Sequence, residues 1–84
     1  MARRIALLCG GASGEREVSL LSAAAVEEAL EKRYEVIKID TGVEGWAHTL
    51  LDSSVEGVFI CLHGGAGENG SLQGFCESVG LPYT

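Results

Sequence analysis

The sequence predicts an α/β domain: a parallel sheet of about four strands with helices on both faces, in three layers. Two observations carry this. Short apolar runs that read as strands alternate with segments whose apolar residues recur at spacings of three and four. Glycine-rich turns follow the first and third of these runs, at Gly10-Gly11 and at Gly64 to Gly70. Such alternation implies parallel strands joined by right-handed crossovers.

Ile5-Ala6-Leu7-Leu8-Cys9 is apolar throughout and stops at Gly10-Gly11, so it reads as a strand buried on both faces. A helix follows the first loop. Val18, Leu21, Ala25 and Ala29 supply its apolar stripe, with Val26 and Leu30 alongside and Glu27, Glu28 and Glu31 on the wet face. Ser13 or Ser19 suits its N-cap, and Lys32-Arg33 suit its C-terminal end. Tyr34 to Asp40 reads as a second strand carrying Val36, Ile37 and Ile39. Between Gly42/Gly45 and Ser53-Ser54, Trp46, Leu50 and Leu51 share one face of a short helix, with His48 at the surface. Val58-Phe59-Ile60-Cys61-Leu62 is the third strand. Leu72, Phe75, Cys76 and Val79 mark a last short helix, with Gly80 at its C-cap and Pro82 as its stop. Pro82-Tyr83-Thr84 opens a further strand, so the 84 residues are expected to belong to a longer protein.

Composition bounds the function. A chain of 84 residues makes one domain and buries only ~60% of its unfolded surface. A hydrophobic fraction of 46% with a net charge of −6 excludes a disordered segment. No run of ~18 apolar residues is available to span a membrane, and the apolar stretch after Arg3-Arg4 is too short for a signal peptide. The six cations form no basic stripe, which argues against nucleic acid. Cys9, Cys61 and Cys76 sit in apolar or amphipathic runs without C-x-x-C spacing. They read as buried thiols of a reducing, cytoplasmic compartment.

In a parallel sheet, ligands bind beyond the carboxyl ends of the strands. Two loops fall there: Cys9 to Glu17, and His63 to Gly70. If their strands are neighbours, the loops face each other, and each feeds a helix N-terminus with free N–H groups. Gly65 to Gly70 matches G-x-G-x-x-G, which makes an oxidoreductase fragment one reading. However, the match follows the third strand, and Glu68 would stand against a pyrophosphate. The first loop has neither that pattern nor a phosphate-loop lysine, which argues against an ATP site within these residues. What the loops do carry is acid: Glu15, Glu17 and Glu68. Such carboxylates suit an ammonium group, and equally they suit a helix N-terminus through the macrodipole. His63 reads either as a structural donor or as a neutral partner to a carboxylate.

Gly10-Gly11-Ala12-Ser13-Gly14-Glu15-Arg16-Glu17-Val18-Ser19 resembles the G-G-x-S-x-E-x-x-V-S motif of D-alanine–D-alanine ligases. His63 to Gly74 resembles the H-G-x-x-G-E-x-G-x-x-Q-G segment of the same family, and Leu81-Pro82-Tyr83-Thr84 its G-[IL]-P-Y-T. The three motifs occur in the family's order and register. The resemblance covers nearly all of the chain, with residues 41–54 the least family-like. It implies the Rossmann-like, pre-ATP-grasp N-terminal domain, spanning 1–84. The family's ATP-grasp domains, absent from these residues, hold ATP and Mg2+ (or Mn2+). The implied reaction phosphorylates the carboxylate of a first D-alanine. The amine of a second then attacks the acyl phosphate, for peptidoglycan synthesis. Position by position, Glu15 would be a catalytic residue receiving the first D-alanine's ammonium. Val18 would touch its methyl group, and Ser19 would set the loop. His63 would lie beside the same substrate, with Glu68 orienting it. The implied partners are D-alanine, the remaining ligase domains and a second copy in a homodimer. A purely non-catalytic dimerisation module is the further alternative.

Overall fold

The computed structural model describes residues 3–11, 14–62 and 70–84. The elements are β1 (Arg3–Cys9), α1 (Arg16–Leu30), β2 (Tyr34–Asp40), α2 (Trp46–Asp52), β3 (Gly57–Ile60) and α3 (Ser71–Ser78). The sheet is parallel, in the order β2-β1-β3. Residues 82–84 continue it beyond β3. Val58 donates to the Pro82 carbonyl at 2.8 Å, Thr84 donates back to the Val58 carbonyl at 3.1 Å, and Tyr83 bridges Val58 in parallel. The expected fourth strand therefore begins there.

β1 is the axis of the core. Ala6, Leu7 and Leu8 are fully buried and Cys9 is nearly so. Successive residues of a strand point to opposite faces, so an unbroken apolar run needs cover on both. Leu7 and Cys9 pack with Phe59, Cys61, Val36, Ala23 and Val26 under α1. Ala6 and Leu8 pack with Ile39, Val58, Leu50, Leu72 and Cys76 under α2 and α3. Trp46 of α2 meets Phe75 of α3 edge-on, with ring centroids 5.5 Å apart. This places Trp46 in the cover of the core, as expected. His48 is exposed, beside Asp52 at 3.3 Å.

Two expected helix faces are rotated. The buried line of α1 is Ser19, Ala23 and Val26, while Val18, Leu21, Ala25 and Ala29 face outward, Leu21 at 75% exposure. Small side chains at 19 and 23 let the helix lie close to the sheet, so packing distance outweighs hydropathy. Ser19 consequently lies within the first turn and is no cap. In α2, Leu50 is buried but Leu51 is exposed. The end of α3 matches expectation. Gly80 adopts a φ of 76°, donating to Glu77, and Leu81 donates to the Cys76 carbonyl at 2.9 Å. This is the paired bonding of a glycine-terminated helix. Among the described residues, no helix is long and apolar enough to cross a membrane.

The α2 face has a direct test by chemical denaturation. Leu50→Ala is expected to lower unfolding free energy by about 2–5 kcal/mol or abolish the cooperative transition. Leu51→Ala should stay within about 0.5 kcal/mol of the parent. Equal effects would show the face to be misassigned.

Candidate functional site

β1 leads through α1 to β2 on one side. β3 leads through α3 to Tyr83 on the other. The gap between β1 and β3 is thus the place where connections diverge, the ligand crevice of open parallel sheets. The expected adjacency of these two strands holds, and it brings the end of β1 beside Cys61, whose N–H donates to the Leu8 carbonyl at 2.8 Å.

Ser19 ties the two strand ends together. It is fully buried. Its hydroxyl accepts the Gly10 N–H at 2.8 Å and donates to the Cys61 carbonyl. One small side chain in α1 therefore satisfies two backbone groups at the carboxyl ends of β1 and β3.

A second tie crosses to β2. The β1–β2 register opposes Cys9 to Asp40, so Asp40 reaches the same edge. Arg16 Nη1 donates to Asp40 Oδ1 at 2.8 Å, and Nη2 donates to Oδ2 at 2.5 Å. Nη1 also donates to the Gly11 carbonyl at 2.9 Å. Asp40 Oδ1 accepts the N–H of Gly42 at 2.8 Å and of Gly11 at 3.3 Å. The Arg16 guanidinium holds the Asp40 carboxyl at about 2, against an ordinary 3.8. Partial burial opposes this and the two backbone N–H groups assist it. The same hydrogen bonds raise the pKa of Arg16. Side-chain exposures of 42% and 22% leave the pair screened by water.

Two glycines make room for this arrangement. A Cβ at Gly10, whose φ is 75°, would stand 2.3 Å from Asp40 Oδ1. One at Gly42 would stand 2.6 Å from the Gly11 carbonyl oxygen. At these two positions the close backbone approach is made to the protein's own clamp.

Glu15 immediately precedes α1 and is exposed at this edge. Its carbonyl accepts the Ser19 N–H at 3.0 Å, closing the first turn. Val18 is half exposed and Glu17 exposed. Glu15 and Val18 thus lie at the N-terminal end of α1, and of the three only Ser19 is seen to reach the β1–β3 divergence. His63, Glu68 and residues 65–69 of the G-x-G-x-x-G match lie outside the described residues. Sequence reasoning assigned no role to Arg16 or Asp40. No local pattern marks them: Asp40 ends a mixed strand that also carries Glu35 and Lys38, and Arg16 opens α1. Burial pushes the Cys9, Cys61 and Cys76 thiols up, Asp40 adding to the effect on Cys9, as suits inert core cysteines. Among the described residues, no three His, Cys, Asp or Glu side chains gather as metal ligands.

A parallel sheet whose connections diverge between β1 and β3, covered by helices, defines an open α/β domain. The family model described as the D-ala D-ala ligase N-terminus matches residues 4–50, and the chain belongs to that family. It is 52% identical to a D-alanine–D-alanine ligase of Desulforudis audaxviator, over all of this chain and 28% of that protein. It is 50% identical to one of Pseudomonas entomophila, over 96% of this chain and 26% of that protein. The crystal structure of the Bacillus anthracis D-alanine–D-alanine ligase complexed with ATP superposes with a TM-score of 0.83 at 31% identity. That match covers 100% of this chain and 28% of the other. The chain thus spans little more than a quarter of these relatives, and they favour the ligase family over the dinucleotide-binding alternative.

Two outcomes follow from the ties. Ser19→Ala leaves the buried Gly10 N–H without its acceptor, so unfolding free energy should fall by about 1–3 kcal/mol. An unchanged denaturation midpoint would contradict the bridging role. Asp40 titrates lower in the folded state, so its contribution to stability is present above its ordinary value. That contribution is lost as pH falls from about 4 toward about 2. Asp40→Asn should flatten the acid limb of stability over that interval, measured by melting at stepped pH.

Proposed function

We propose that residues 1–84 form the substrate-side N-terminal domain of a D-alanine–D-alanine ligase and make one wall of the first D-alanine subsite. What supports this is Glu15, in its G-G-x-S-x-E-x-x-V-S context, exposed immediately before α1 in a chain belonging to this family. An exposed carboxylate beside a helix N-terminus suits the ammonium of an amino acid, through a charge-assisted hydrogen bond. Val18, one turn on and half exposed, offers an apolar surface to the D-alanine methyl group. Ser19 holds the strand ends that shape the wall. His63 would lie beside the same substrate, with Glu68 as its orienting partner.

The reaction joins two D-alanines with ATP. The first carboxylate takes up the γ-phosphoryl group as ADP leaves. The second amine attacks the acyl carbon, phosphate departs, and a peptide bond forms for peptidoglycan synthesis in the cytoplasm. The described loop residues fit the triphosphate poorly. Glu15 and Glu17 are acidic, and Arg16 is engaged by Asp40. ATP and Mg2+ (or Mn2+) are accordingly assigned to the remaining ligase domains. The outward apolar line of Leu21, Ala25 and Ala29 supports contact with those domains or with a second copy in a homodimer.

In a complete ligase carrying residues 1–84, Glu15→Gln is expected to raise the KM for the first D-alanine and lower kcat/KM by about tenfold or more. That is the scale of one charged hydrogen bond of about 1.5–3 kcal/mol. Unchanged kinetics would remove Glu15 from the site. The 84 residues alone are expected to show no ATP turnover with D-alanine, and a measurable ligase rate would overturn the division of labour.

A further inference from the structure

We propose that the Arg16–Asp40 pair is a positioning device for the first-substrate loop, setting where the Glu15 carboxylate stands. This rests on the reading of Glu15 given above.

The pair differs from an ordinary surface ion pair in what else it holds. Arg16 is the residue after Glu15 and the first of α1. Its guanidinium reaches back to the Gly11 carbonyl, so the beginning and end of the β1–α1 connection are joined by one side chain. The same guanidinium grips both oxygens of Asp40. Asp40 in turn receives the N–H groups of Gly11 and Gly42. Three segments therefore meet at one carboxylate: the end of β1, the start of α1, and the turn after β2. The space is closed to larger residues, since a Cβ at Gly10 or Gly42 would lie within 3.0 Å of clamp atoms. A bidentate guanidinium fixes orientation as well as distance, which a lysine ammonium does not.

Every hydrogen bond given for Arg16 and Asp40 goes to the protein itself. Their effect reaches the substrate only through Glu15. Water screening makes the pair a weak contributor to stability, so its main consequence is placement. Placement matters because a misalignment of about 1 Å at a reacting group can cost about a hundredfold in rate.

The test is a double-mutant cycle in a complete ligase carrying residues 1–84. Initial rates against D-alanine are fitted to a two-site rate law, and ATP is varied separately. Asp40→Asn should raise the first-site KM by about fivefold or more, with the KM for ATP within about twofold of the parent. In the Glu15→Gln background the same change should have less than about a twofold effect, because the group it positions is gone. An unchanged first-site KM, an equal rise in both backgrounds, or a matching rise in the KM for ATP would overturn the proposal. If Asp40→Asn yields no folded enzyme, Arg16→Lys decides. It keeps the charge and loses the fork, and it should still raise the first-site KM by about threefold or more with ATP kinetics unchanged. Normal first-site kinetics in Arg16→Lys would overturn the proposal. The failure of the underlying reading looks different: Glu15→Gln alone would leave the first-site KM unaltered.

Discussion

The last four residues of β1 have no solvent face, and the rest of the domain is arranged around that constraint. A seven-residue strand whose last four residues are buried must be central, with a neighbour on each edge and helices above and below. Once β2 lies on one side and β3 on the other, the chain must leave β1 and β3 in opposite directions. That divergence opens a crevice without any special residue to make it. The apolar run Ala6 to Cys9 thus determines where the sheet's connections diverge.

A crevice formed by loops needs those loops held, and the domain uses two ties of different character. Ser19 works inside the core, where an unmade hydrogen bond is expensive, so its hydroxyl contributes to both stability and shape. Arg16 and Asp40 work at the surface, where water weakens the attraction but not the directional geometry of a bidentate pair. The two ties are complementary in position. Ser19 joins β1 to β3, and the ion pair joins β1 to β2. Both act on the first turn of α1, the turn that Glu15 opens.

The fold was legible where the sequence has one dominant periodicity. The continuous apolar runs at 5–9 and 58–62 placed strands correctly, although β3 runs from Gly57 to Ile60. Gly80 and Pro82 marked the end of α3. The helix faces were less legible, for a physical reason. In α1, the line Val18-Leu21-Ala25-Ala29 and the line Ser19-Ala23-Val26 differ by about one residue, a rotation of about 100°. Hydropathy favours the first, whereas close approach to the sheet favours the second because its members are small. Ser19 suits a cap by its residue type, but its hydroxyl binds two backbone groups inside the core instead. The motif resemblance led to Glu15, Val18 and Ser19. Arg16 and Asp40 were not legible because their contact depends on the β1–β2 register, which no local pattern encodes.

On the proposed reading, the exposure of Glu15 bears on why one wall of a substrate site would need further protein around it. In bulk water, two unit charges 4 Å apart attract by about 1 kcal/mol. At the effective dielectric near a protein surface, about 20, the same pair attracts by about 4 kcal/mol. A carboxylate on an open edge therefore recognises an ammonium weakly, however well it is positioned. Covering the edge with further protein excludes water and strengthens the same contact without altering it. Arg16 and Asp40 belong to the half of this task that can be prepared in advance. On the proposed reading they fix the charge before substrate arrives, which is where preorganised geometry contributes to binding. A domain of this size can thus supply the placement of the charge, while the strength of its interaction depends on the domains that enclose it.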